Sequence, residues 1–170
     1  MLIRVNGASS GIKEYLENGR KDGRDFSRDE LDERVILSGD LELTDAIINS
    51  MDNEGDRYLH VTLSFKEDEI SPETLSAIVG EFKEFAMTAY DQDEYNFYAE
   101  AHLPKIKSYV HQQSGELIER KPHIHVVIPE KNLLSGQHMN PFGKSEHQTK
   151  FIDAFQEHIN AKYGLASPKD

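Results

Sequence analysis

At 170 residues the chain is long enough for one domain with a real hydrophobic core. It has no cysteine, which excludes disulfides and thiolate metal sites and makes the cytoplasm the default location. The net charge of −12 argues against a broadly basic nucleic-acid surface, yet the acid is concentrated: residues 29–100 hold four Lys/Arg against twenty Asp/Glu, while residues 1–28 and 101–170 each stand at +2. No apolar run approaches a membrane span, and the opening Met1-Leu2-Ile3-Arg4-Val5 is no signal peptide.

In chain order, Met1 to Val5 reads as a short strand ended by Asn6-Gly7. Ser9-Ser10-Gly11 offers a helix start, with Ile12, Tyr15 and Leu16 at helical spacing and Gly19 as the stop. Arg20-Lys21-Asp22-Gly23-Arg24 is a polar, basic loop. Ser27 and Glu30 form a capping-box pattern that predicts a short helix to about Arg34. Val35-Ile36-Leu37 is a brief apolar run, and Thr44 can cap a helix running to Met51. Arg57 to Phe65 alternates cleanly, with Leu59, Val61, Leu63 and Phe65 on one face and Tyr58, His60, Thr62 and Ser64 on the other. Ser71-Pro72 starts a long helix with a stripe from Leu75 to Ala89.

Tyr95 to Leu103 is a second alternating strand, with Tyr98, Glu100 and His102 on its polar face. A hairpin from Ile106 to Glu119 follows, turning at Gln112 to Gly115. It leads into the run Lys121-Pro122-His123-Ile124-His125-Val126-Val127-Ile128. Asn132 to Gly143 is a loop that could cover a groove. A last helix runs from about Glu146 to Tyr163, and Gly164 stops it. These elements predict an α+β fold: a central antiparallel sheet with helices on one face and an open polar face.

Side chains on a strand alternate, so His123 and His125 share one face while Ile124, Val126 and Ile128 share the other. Two imidazoles on a stiff element are part of a metal site. His102 lies on the polar face of the preceding strand, and strands joined through a hairpin commonly neighbour each other. His102, His123 and His125 can therefore converge. Three neutral nitrogen donors leave open positions for water or substrate oxygen, which suits a catalytic rather than a closed site. His60, Thr62, Ser64, Tyr98 and Glu100 share that face, and Glu100 is the carboxylate that could accept from a ligating imidazole. The alternative is a half-exposed sheet face that collects polar residues without a ligand. His138, His147 and His158 follow no ligand spacing and read as surface residues.

The His-Ile-His strand, the third histidine upstream and the tyrosine near the start resemble the HUH endonucleases. More closely they resemble the conjugative and plasmid mobilisation relaxases. The likeness includes Gly11-Ile12-Lys13-Glu14-Tyr15-Leu16, the strand ending Leu63-Ser64-Phe65 before a long helix, and His102 through His125, and so spans most of the chain. It implies one relaxase domain over residues 1–170, which could be the N-terminal part of a longer protein. It implies a divalent metal, Mn2+ or Mg2+ with Zn2+ or Ni2+ as alternatives, on His102, His123 and His125. It implies that Tyr15 attacks single-stranded DNA at a transfer origin and leaves a 5′-phosphotyrosyl link with a free 3′-hydroxyl. Accessory relaxosome proteins and a type IV secretion coupling protein are the implied protein partners. Family members often carry the three ligands closer together; here 20 residues separate His102 from His123, and His60 or Glu100 could substitute for His102.

Tyr15 could instead be part of a packed helix face with Ile12 and Leu16. Tyr98 is its chief rival as nucleophile, ahead of Tyr109 and Tyr95. Arg20, Lys21, Arg24, Lys105, Lys107, Lys121 and Lys144 are the candidate phosphate contacts. Two other functions fit the same sequence. A rolling-circle replication initiator shares the histidine site but places its tyrosine downstream, where only Tyr163 suits. A non-catalytic module would bind protein or nucleic acid on the polar face and would form no covalent adduct. No Walker-type glycine loop and no Gly-x-Ser-x-Gly elbow is present.

Overall fold

The computed structural model describes residues 1–19, 26–143 and 145–170. Its elements in order are β1 (Leu2–Ala8), α1 (Ile12–Asn18), α2 (Arg28–Leu31), β2 (Asp32–Ser38), α3 (Leu41–Ser50), β3 (Tyr58–Ser64), α4 (Pro72–Ala86), β4 (Tyr98–Pro104), β5 (Ser108–Val110), β6 (Leu117–Glu119), β7 (His123–Pro129) and α5 (Ser145–Tyr163). Five strands form one antiparallel sheet in the order β1-β3-β7-β4-β2, and β5 and β6 form a separate ribbon. This is the α+β architecture that the alternating strands predict.

The alternation of β3, β4 and β7 decides the layering. Leu59, Val61, Leu63, Ala99, Ala101, Ile124, Val126 and Ile128 point into one core with Leu75, Ile78, Val79 and Phe82 of α4 and Ile152 and Ile159 of α5. Phe82 sits among Phe85, Phe97, Phe142 and Phe155, with ring centroids 6.0–6.5 Å away. The opposite face is polar, and it carries helices at one end. Ile12 and Leu16 of α1 and Leu41 and Ile48 of α3 pack there on Tyr58, Tyr98 and Val127. That second, smaller core is what holds α1 against the sheet.

Four local boundaries differ from the sequence expectation, each for a tertiary reason. β1 continues through Asn6-Gly7, pairing Gly7 with Leu59. A Cβ on Gly7 would meet the Asp56 carboxylate at 2.0 Å, so glycine serves close approach here rather than a turn. The capping box at Ser27 and Glu30 forms, but the helix stops at Leu31 because Asp32–Ser38 pairs with β4 as an edge strand. α3 is capped by Asp40, whose Oδ1 accepts from Glu42 N at 2.9 Å and Leu43 N at 3.3 Å. Thr44 is inside that helix, buried, and donates to Asn96 Oδ1 at 2.5 Å. The second alternating strand starts at Tyr98, not at Tyr95, because a short 3-10 turn over Gln92–Glu94 precedes it.

Candidate metal centre and tyrosine cleft

β7 lies between β3 and β4, and its register brings the polar residues of three strands together. His102 of β4 stands opposite His123, and Glu100 stands opposite His125, which in turn faces Thr62 of β3. The ligand nitrogens of His102, His123 and His125 all lie within 4.8 Å of one another. His102 is fully buried, His125 is 2% exposed and His123 is partly exposed. A cluster with two buried members and one at the rim is open to solvent from one side.

Each of the three rings has one nitrogen held by a neighbour. His102 Nε2 lies 2.5 Å from Glu100 Oε2. His123 Nδ1 lies 3.1 Å from the Lys121 carbonyl oxygen. His125 Nδ1 lies 2.8 Å from His60 Nε2. The remaining nitrogens of the two buried rings, His102 Nδ1 and His125 Nε2, have no hydrogen-bond partner. A carbonyl can only accept, and Glu100 accepts as a carboxylate, so His123 carries its proton on Nδ1 and His102 on Nε2. Ligation uses the other nitrogen of each ring as a lone pair. Buried lone pairs without partners are costly unless something takes them up. Outer acceptors that fix the tautomer of inward-facing imidazoles are the usual surroundings of a bound metal. The donor set therefore fits a divalent cation.

The electrostatics agree. Burial pushes His123 down to about 4, and the neighbouring imidazole of His102 adds to it. Burial likewise lowers His125 and His60. These rings are neutral at pH 7, as ligation requires. Burial alone would raise the Glu100 carboxyl, but Arg34, His102 and Tyr98 outweigh it and hold it down to about 2. Arg34 grips both oxygens, Nε to Oε2 at 2.8 Å and Nη2 to Oε1 at 2.7 Å, and Tyr98 donates to Oε1 at 2.7 Å. Glu100 is thus a fixed anion behind His102.

Tyr15 stands at the mouth of this cluster. It lines an open cleft of about 340 Å3 with His60, Thr62, Ser64, Lys121, His123 and His125. Its ring meets His125 edge-on at 5.7 Å and His60 at 6.1 Å. Buried Ile12 and Leu16 seat α1 on the sheet, so packing and cleft placement are two sides of one short helix. Arg28 closes the end of that helix: Nη2 donates to the Tyr15 carbonyl at 2.8 Å and Nε to the Leu16 carbonyl at 3.1 Å. Asp32 anchors Arg28 at 3.2 Å and takes a two-pronged grip from Arg120 at 2.8 and 2.9 Å, next to the start of β7. Burial raises the Asp32 carboxyl, but Arg120 outweighs it and leaves it below the usual range.

The rival tyrosines are placed elsewhere. Tyr98 is fully buried, bonded to Glu100, and its phenol is pushed up first by burial. Tyr109 packs on Phe26, and Tyr95 lies near Lys83. Tyr163 bonds Glu81, a residue of α4. Of the basic candidates, Lys121 lines the cleft and pairs with Asp68, and Lys105 donates to the Asp29 carbonyl at 2.9 Å. Lys107 is exposed at the foot of the β5–β6 ribbon. Arg20, Lys21, Arg24 and Lys144 lie outside the described residues. His138 is exposed and bonds Glu130 at 2.6 Å, away from the cluster.

The sequence reading missed Arg34, Arg28, Asp32 and Arg120, and it left His60 without a partner. Arg34 was legible only through β2: once Asp32–Ser38 is a strand beside β4, alternation puts Arg34 across from His102.

Fold and cluster together define a class: an α+β protein whose five-stranded antiparallel sheet carries a buried three-histidine site suited to a divalent cation. No protein-family model matches the chain. The sequence is 31% identical over 168 residues to "Cryptic plasmid protein C" of Neisseria gonorrhoeae, covering 98% of this chain and 70% of that protein, and the chain belongs to that protein's family. Among the described residues no helix is long and apolar enough to cross a membrane.

Proposed function

We propose that residues 1–170 form one metal-dependent strand-nicking domain of the relaxase kind, acting on single-stranded DNA of a plasmid. One observation carries this reading: Tyr15 lies 5.7 Å, ring to ring, from a member of a three-histidine cluster, in one open cleft. The plasmid origin of the relative supports it.

His102, His123 and His125 would hold the cation, which would supply Lewis-acid polarisation of a phosphodiester. Three imidazoles suit Zn2+ or Ni2+ better than oxygen-seeking Mg2+, with Mn2+ between them. The chain's own part begins with Glu100, which fixes His102 and balances the charge of Arg34. α1, seated by Ile12 and Leu16 and closed by Arg28, presents the Tyr15 hydroxyl to the cleft. Its oxygen forms a bond to phosphorus, the bond to the 3′-oxygen breaks, and the proton lost by the phenol is balanced by one gained at the 3′-hydroxyl. The DNA is left joined to Tyr15 through its 5′-phosphate. The phosphotyrosyl ester keeps the bond available for the returning 3′-hydroxyl, so the strand can be resealed. A transfer origin is the proposed target, with accessory relaxosome proteins and a secretion coupling protein as partners in the cell.

The test is covalent capture. The protein is incubated with Mn2+ and a pool of single-stranded plasmid fragments, then denatured. A DNA adduct that survives denaturation, and that is absent from Tyr15→Phe and from His125→Ala, is the expected result. Equal adduct yield from Tyr15→Phe would remove Tyr15. No adduct from any fragment of the whole plasmid, with metal bound, would leave a binding module.

A further inference from the structure

We infer that His60 is a positioning residue of the metal centre: it fixes the ring of His125 and ties that ring to the cleft wall beside Tyr15. The inference rests on the metal-centre reading proposed above. β3 and β7 pair with Thr62 opposite His125, which places His60 one diagonal step away on the same face. The two rings stack at 5.0 Å with 30° between their planes, and His60 Nε2 meets His125 Nδ1 at 2.8 Å.

The direction of that bond follows from the metal-centre reading, in which His125 Nε2 offers its lone pair to the cation. His125 Nε2 is buried and has no partner. A proton there would be a stranded donor, and Nδ1 would then need a proton from His60. A proton on Nδ1 is donated to His60 Nε2 instead, and leaves the Nε2 lone pair facing the cluster. His60 then carries its own proton on Nδ1. The other two rings are held by groups that cannot change role, an Arg34-bound carboxylate and a main-chain carbonyl. His125 is the one whose orientation depends on another imidazole, and that imidazole also lines the cleft. His60 therefore touches a proposed ligand on one side and shares the cleft with Tyr15 on the other.

The test compares the parent with His60→Phe, which keeps a ring and loses the acceptor, and His60→Gln, which keeps an acceptor. Co2+ is titrated into the metal-free protein and followed by its visible absorption. His60→Phe is expected to bind one Co2+ about 10- to 100-fold more weakly, the usual loss for an outer partner, with an altered spectrum. His60→Gln is expected to stay close to the parent in both. Thermal unfolding without metal checks that both variants fold. In the metal-free parent, nitrogen-15 NMR of the imidazoles should show His125 protonated on Nδ1. Parent-like Co2+ binding by His60→Phe, or a proton on Nε2 of His125, would overturn the inference. So would a loss as complete as that in His125→Ala, because His60 would then be a ligand. If the parent binds no Co2+, the centre itself fails and this inference falls with it.

Discussion

The two faces of β7 differ by one residue step and follow opposite physics. Ile124 and His125 are neighbours, and both are removed from water, at 0% and 2% exposure. Ile124 stabilises the fold because burial of apolar area is favourable in itself, on the order of 1.5–3 kcal/mol for such a side chain. His125 is buried at a cost, offset only by the bond to His60 and by whatever takes up its free nitrogen. The same contrast holds across the sheet. The α4–α5 side is a closed aromatic and aliphatic core, while the other side holds two runs of fixed polar contacts, Arg34–Glu100–His102 and His60–His125, that meet at the unpartnered nitrogens His102 Nδ1 and His125 Nε2. Most of the apolar burial lies on the α4–α5 face and the three-histidine cluster on the other, so stability and metal binding should separate under mutation.

Phe82→Ala should give the largest effect on folding, about 3–5 kcal/mol by chemical denaturation, because it leaves a void among four other rings. Metal affinity of the fraction that stays folded should be unchanged. His125→Ala is the reverse case. It should weaken metal binding by more than the roughly 100-fold that an outer partner is worth, yet cost only about 1 kcal/mol of stability, within the common range for single changes. Calorimetry and unfolding on the same two variants decide the matter. A His125→Ala protein as unstable as Phe82→Ala would mean that the polar face is structural, and the separation would be lost.

Acid should act on the histidine face in two steps. Between about pH 6.5 and about 4 the unfolded chain protonates His123 while the folded metal-free protein does not. The unfolded state binds more protons there, so stability is full above about 6.5 and falls as the pH drops towards 4, by about 3 kcal/mol from this ring alone. Glu100 repeats the pattern lower down, with stability lost as pH falls from about 4.5 to about 2. Unfolding curves of parent and His123→Gln across this range check the first step. Parallel curves would show that the His123 imidazole costs the fold nothing on acidification.

How much of this arrangement was readable follows from where its contacts lie. The histidine set was legible because its parts sit on strands whose alternation is written locally, and because a hairpin connection made β4 and β7 neighbours. The caps at Ser27 and Ser71 were legible for the same local reason. What was not legible depends on strand order. His60 and His125 are 65 residues apart and meet only because β3 takes the place between β1 and β7. Arg34 belongs to an edge strand whose sequence opens like the end of a helix, and only pairing with β4 straightens it. Asp32 reads as one more surface carboxylate among the acidic residues, yet it is buried between Arg28 and Arg120. Helices α1 and α3 were legible, but the expectation of helices on one face only was not met: their apolar residues form a second, smaller core on the polar face with Tyr58, Tyr98 and Val127, contacts that only the sheet order brings together.

The smallest effect tests the rim of the polar face, where, on the function proposed, a negatively charged molecule would accept a negatively charged substrate. Lys121 lines the cleft but is engaged with Asp68, so a phosphate would have to displace a carboxylate to use it. Lys107 stands exposed at the foot of the β5–β6 ribbon, in a neighbouring groove that includes Asp68, the partner of Lys121. If single-stranded DNA follows that groove, Lys107→Ala should reduce the slope of log affinity against log salt by about 0.7, the value of one phosphate contact on a single strand. Lys121→Ala should change it less, because removing the lysine also removes a partner of Asp68. Within each variant, affinity should fall by the same factor for strands of unrelated sequence, since a phosphate contact carries no sequence information. The readout is fluorescence anisotropy of a labelled oligonucleotide over a salt series. Equal slopes for parent and Lys107→Ala would place the strand elsewhere along the cleft. A larger change in Lys121→Ala than in Lys107→Ala would mean that DNA displaces Asp68, and that the acidic rim yields to substrate rather than screening the site.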